Sequence, residues 1–192
     1  VARGGRKSLL WGATAVAVAL AALGLYWFQP WKLWQDETVD EALPTAVPGA
    51  TSSPGSAASP GSAATPGASD TTPAAGPRTV AQGELISHEH RTTGTAKLIR
   101  LADGSVTLRL EDLNTSNGPD LRVWLTDAPV KEGVAGWRVF DDGRYISLGK
   151  LKGNKGDQNY PLPPGTDPSA FTSVTIWCDR FDVSFGAAGL RV

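Results

Sequence analysis

The chain has 192 residues, a formal net charge of −1, one cysteine, two histidines and no methionine. Its bulky apolar residues crowd the first 34 positions, thin out between Ala42 and Arg78, and return from Val80 onward. That leaves one folding unit of about 110 residues, large enough for a single core. Basic and acidic residues balance in it, so the basic patch of a nucleic-acid binder is missing and no nucleic-acid partner is expected.

Residues 1–8 are a basic N-terminus carrying Arg3, Arg6 and Lys7. Leu9 to Phe28 follows without a charge. At ~1.5 Å per residue a helix of that length spans ~30 Å, the hydrocarbon thickness of a bilayer. The spacing predicts a transmembrane helix over 9–28 with the lipid bilayer as its partner. The flanking basic residues put its N-terminus in the cytoplasm and the rest of the chain outside, a single-pass cell-membrane topology. Trp11 lies near one interface, and Tyr26, Trp27, Trp31 and Trp34 crowd the other. A cleaved signal peptide fits less well, because the one small-residue cleavage candidate, Ala19-Leu20-Ala21, lies inside the apolar run.

Residues 29–79 read as a juxtamembrane segment and a linker. Ser53-Pro-Gly-Ser-Ala-Ala58 repeats at once as Ser59-Pro-Gly-Ser-Ala-Ala64, and Thr65-Pro-Gly-Ala-Ser69 follows. Such a stretch buries too little apolar surface to offset its ordering entropy. It is expected to be a disordered spacer that holds the domain away from the bilayer, with O-glycosylation of a Ser/Thr-Pro stalk left open by composition.

From residue 80 to 192 the pattern is short and alternating. Val106, Leu108 and Leu110 alternate with Thr107, Arg109 and Glu111; Leu121, Val123 and Leu125 alternate with Arg122, Trp124 and Thr126. Val174, Ile176 and Cys178 alternate with Thr175, Trp177 and Asp179. Period two means half-buried strands. Asp103-Gly104 predicts a two-residue hairpin, and Asn117-Gly118-Pro119-Asp120 a second turn. The expected fold is all-β, an antiparallel sandwich or small barrel.

Few residues here carry chemistry. Cys178 cannot form a disulfide within the chain, so it is an inert buried thiol, an intermolecular partner, or a reactive or ligating thiol. Its alternation places it with Val174 and Ile176 on the expected core face, where Cys acts as a small hydrophobe. His88 and His90 would share one side of a strand, and with Cys178 could make a small metal or haem site. The Cys-x-x-Cys-His attachment motif is absent, and the lack of Met removes His/Met haem ligation. Trp124 and Trp177 fall opposite the core face. With Trp137 they are candidates for a binding surface, or are covered by a loop such as Lys131 to Arg144. No hydrolase motif appears, so no catalytic residue is assigned and an enzyme is not the expected reading.

Several stretches in register carry a resemblance. His90-Arg-Thr-Thr-Gly-Thr-Ala96, Asn117-Gly-Pro-Asp-Leu121, Leu148-Gly-Lys-Leu-Lys-Gly-Asn154, Gln158-Asn-Tyr160, Val174-Thr-Ile-Trp-Cys-Asp-Arg-Phe181 and Phe185-Gly186 resemble the DM-thirteen domain, the electron transfer DM-thirteen family. The resemblance spans about Gly83 to Leu190. It implies a β-rich extracytoplasmic domain, found in animals beside DOMON domains that resemble cytochrome-type redox modules. It also implies a redox role for a Cys that corresponds to Cys178, as a thiol or through a prosthetic group; with no DOMON stretch read in this sequence, a redox or cell-envelope partner is expected to be a separate molecule. Two readings follow: a redox accessory module acting through Cys178, which needs a partly accessible thiol of depressed pKa, or a non-catalytic binding or adhesion module with an inert Cys178.

Overall fold

The computed structural model describes residues 3–44 and 76–192. The Pro/Gly/Ser/Ala repeat, and with it the expectation of a spacer, lies outside the described residues. Helix α1 runs Arg3–Phe28. The stretch Trp11–Lys32 is long and apolar enough to cross a membrane, and none of its most apolar part is buried against the rest of the chain. A core helix would be covered. The helix stops where Gln29 takes a left-handed φ of 43° ahead of Pro30, which opens a 3-10 turn over Pro30–Trp34.

Among the described residues ten strands follow: β1 Thr38–Asp40, β2 Arg78–Glu84, β3 Ile86–Ser87, β4 Thr93–Arg100, β5 Val106–Asn114, β6 Leu121–Thr126, β7 Tyr145–Lys150, β8 Lys155–Pro161, β9 Ser173–Cys178 and β10 Val183–Gly189. They form two five-stranded sheets, ordered β1-β8-β5-β4-β2 and β3-β10-β9-β6-β7. Every neighbouring pair is antiparallel except β1 with β8. The architecture is therefore a sandwich rather than a closed barrel.

The alternating residues meet between the sheets. Leu98, Leu108, Leu110 and Tyr160 come from one sheet, and Val123, Leu125, Val174, Ile176, Cys178 and Phe185 from the other. The alternation is interrupted at Asp112, whose φ of 51° marks a bulge, and the register with β8 shifts between Leu110 and Leu113. The hairpin at Asp103-Gly104 is longer than two residues: Leu101 N donates to Ser105 O at 2.8 Å, and Asp103 Oδ1 accepts from Ser105 N at 2.9 Å.

The outer face of the second sheet is also covered. Trp124, Trp177, Phe140, Ala128 and Ala187 form a second apolar cluster, with Val130 and Val139 packed on it. Chain from Ala128 to Phe140 thus roofs that sheet, and all six residues of β9 are buried. The other departure is β1. It lies within the stretch 29–79 that composition assigns to juxtamembrane segment and linker, yet it is an edge strand of the sandwich, pairing Thr38 with Lys155 and Asp40 with Asp157.

Candidate functional site

Segments far apart in the sequence meet at the end of β9. Cys178 pairs with Leu121 across β6 and with Val183 across β10, and it has no exposed surface. Burial pushes its thiol above the ordinary 9.0; backbone N–H groups of Arg180, Phe181 and Asp120 pull the other way without winning. Asp179 N donates to Asp120 O at 2.9 Å, which fastens the turn Asn117–Asp120 over this corner. Gly118 packs there so closely that an added methyl would stand 3.0 Å from the Phe185 ring. His90 packs on Phe185, with ring centroids 3.8 Å apart. Its Nδ1 lies 2.6 Å from Ser116 Oγ and its Nε2 3.8 Å from the Glu89 carboxylate. Burial lowers the His90 pKa, and the nearby Glu89 charge opposes that shift.

His88 lies elsewhere. Its Nε2 donates to the Lys131 carbonyl at 3.0 Å, so its Nδ1 must accept from Ser184 Oγ at 2.7 Å. Ser184 Oγ in turn lies 2.8 Å from Thr175 Oγ1, extending the polar chain into the sheet. The ring stacks on Phe140 at 5.7 Å, within the roof of the outer face. Gly136 has to be glycine here, because a methyl would meet Lys131 O at 1.9 Å and His88 Nε2 at 2.9 Å. Burial is the chief cause that keeps His88 neutral at pH 7.

The expectation that His88, His90 and Cys178 share one site is therefore not met in the geometry. The chain bends at His88–His90 rather than continuing as a strand, and the two rings stack on aromatics of different clusters, His88 on Phe140 and His90 on Phe185. Both His88 nitrogens are already engaged. Among the described residues no three His, Cys, Asp or Glu side chains are grouped to hold a metal ion.

The aromatic candidates also divide. Trp124 and Trp177 are 4% and 1% exposed, too enclosed to offer a binding surface. Trp177 stacks on Trp124 at 4.9 Å, and Trp124 on Tyr145 at 4.1 Å, so Tyr145 is the member of the stack that reaches solvent. Trp137 is half-buried against the main core, and its carbonyl accepts from Ser184 N at 2.8 Å.

Sequence reading missed Arg109 as a centre of organisation. It is 7% exposed and bound by Glu111 at 2.7 Å and Asp157 at 2.6 Å, with Glu41 O accepting from it at 2.8 Å. Alternation places Arg109 on the outer face correctly, but no local signal says that residues 68 positions upstream cover it.

These features define a class first: a two-sheet β module with one enclosed thiol, preceded by an apolar helix of membrane-spanning length. Residues 84–190, more than half of the chain, match the family described as electron transfer DM13, and the chain belongs to that family. No curated protein and no solved structure matches the chain. The stretches that carry the sequence resemblance include His90, Asn117–Leu121, Val174–Phe181 and Phe185-Gly186; Leu121 and Phe185 share the core with Cys178, and His90 stacks on Phe185.

Proposed function

We propose that this chain is a single-pass membrane protein with a cytoplasmic N-terminus, and that its extracytoplasmic DM13 domain serves electron transfer as an accessory docking module. In this reading Cys178 holds the core together and the redox group belongs to a separate partner. One observation carries it. The only thiol in the chain has no exposed surface and is pushed toward its protonated form, whereas thiol chemistry needs an accessible thiolate. The family description supplies the electron-transfer context. The basic residues before the apolar helix supply the orientation.

Titration of the full chain with a thiol reagent tests this. No reaction is expected in the folded protein, and one equivalent is expected on denaturation. Modification of the folded protein at the rate of a free thiol would overturn the reading. It would favour a second one, in which Cys178 is itself the redox group. The observation behind that alternative is the set of backbone N–H groups from Arg180, Phe181 and Asp120 around the sulfur, which would stabilise a thiolate if the corner opened.

A further inference from the structure

Only residues 29–37 separate the apolar helix from β1, and β1 is built into the sandwich. Asp36 to Ala42 lies along β8 as a strap, and the domain is shaped to receive it. Glu37 N donates to Asn154 Oδ1 at 2.6 Å, and Lys155 N donates to Glu37 O at 3.2 Å. Glu41 receives Lys152 at 2.7 Å and Asn159 N at 2.7 Å, and Asn159 Nδ2 donates to Ala42 O at 2.9 Å. Asp36 pairs with Lys155 at 2.6 Å. Gly153 and Gly156 leave room for the strap backbone: a methyl on either would stand 2.4 Å from Glu37 O or 2.3 Å from Val39 O.

A second contact lies where the helix ends. Arg180, in the turn between β9 and β10, donates to the Trp27 carbonyl at 2.7 Å and the Tyr26 carbonyl at 3.3 Å. Carbonyls in the last helical turn lack intrahelical donors and carry the negative end of the helix dipole, so a guanidinium is well placed there. The same group lies 5.2 Å from the Trp27 ring centroid, and Phe181 stacks on Phe28 at 5.7 Å. Tyr26, Trp27 and Trp31 are exposed aromatic residues of the kind that sit at the headgroup level.

We infer that the sandwich docks on the bilayer surface: the β1 strap ties it to the anchor and seats Arg180 and Phe181 at headgroup level. This rests on the membrane-anchor reading given above. It reverses the expectation of a domain held off on a spacer. The connection through residues 43–77 leaves one strand of the first sheet and returns to another, so it is not the link between anchor and domain. The corner around Cys178 faces the anchor, and the Ala102–Ser105 turn lies at the far end of β5, ~25 Å away at ~3.3 Å per residue.

The test uses the full chain in phosphatidylcholine vesicles with a specific protease site inserted between Ala58 and Ser59. After cleavage the fragment carrying β2 to β10 should sediment with the vesicles. In an Asp36→Ala/Glu41→Ala variant it should appear in the supernatant. Both residues lie outside the core, so the variant removes strap contacts and no packed apolar side chain, and an unchanged far-UV spectrum shows that the sandwich is still folded. Release from the unaltered chain, or equal retention in the double variant, would overturn the inference. A nitroxide at Asp182→Cys should be broadened by nickel-chelating lipids, and one at Ala102→Cys should not; equal broadening would overturn the docking. Should the uncut chain fail to sediment with vesicles, the anchor reading fails by itself. The strap is then read from co-elution of the two cleaved fragments on gel filtration, and their separation would overturn it.

Discussion

Gly153→Ala is the sharpest probe of the strap. Gly153 is buried, and its backbone conformation is one that any L residue adopts, so the added methyl brings no backbone strain. Its cost is the collision with Glu37 O at 2.4 Å and Val39 Cγ2 at 2.8 Å. Overpacking of this kind costs ~1–3 kcal/mol. The strap has little to set against it: each of its hydrogen bonds contributes ~1 kcal/mol net, while each ordered residue loses ~1–2 kcal/mol of backbone entropy. The cheapest relief is for Asp36 to Ala42 to leave β8. Hydrogen exchange on the full chain should then show faster exchange at the Glu37, Glu41 and Lys155 amides, about tenfold for each 1.4 kcal/mol lost. Amides of β4 and β5 should keep their protection. Unchanged protection of the strap, or an equal loss across β4 and β5, would refute the reasoning.

Two further outcomes follow from the interior. Trp177→Ala removes a side chain that is 1% exposed and stacked on Trp124, and should cost ~3–5 kcal/mol in denaturant unfolding, a cost below ~1 kcal/mol arguing against the packing described. The histidines set the pH dependence. His88 and His90 both have pKa values lowered from the ordinary 6.5, chiefly by burial, so the unfolded chain binds protons that the folded chain does not. Stability should be full above 6.5 and fall as the pH drops below it, down to the folded pKa values. The lowered carboxylates Asp36, Glu41 and Glu111 begin to lose their contribution only below the ordinary values of 3.8 to 4.5. The window from pH 6.5 to 5 therefore belongs to the histidines. A melting temperature that stays flat across it would count against their burial.

The strands were legible because alternation is a one-dimensional signal. Leu108 and Leu110, or Val174 and Ile176, declare their face within six residues, and the sandwich core holds them. What alternation cannot tell is whether the second face is wet. Trp124 and Trp177 look alike in the sequence whether a loop covers them or not; the roof exists because Phe140 and Val139 return over the sheet and His88 ties the covering loop down through the Lys131 carbonyl. Spacing puts His88 and His90 on one side of a strand, yet the backbone bends between β3 and β4 and separates them. The strap was the hardest to see. Thr38-Val39-Asp40 is too short for periodicity to register, and its partners Asn154, Asn159 and Arg109 gain meaning only when β8 and β5 lie side by side.

The topology also places the two ends of the connection that follows β1 at opposite edges of one sheet. The matched region begins at Glu84, so β1 and nearly all of β2 lie outside it. These two strands occupy the opposite edges of the first sheet, with β8, β5 and β4 between them. Without them β8 and β4 would expose open edges, which natural sheets cover or charge to avoid pairing with other chains. The two edges lie four strand spacings apart, ~19 Å at ~4.8 Å each. Residues 41–77 supply far more contour than that span needs. Their composition, mostly Ala, Pro, Gly, Ser and Thr, fits a connection that adds no bulky competing apolar surface to the sandwich. The flanking segments thus complete the domain, and one of them is also the strap that joins it to the helix.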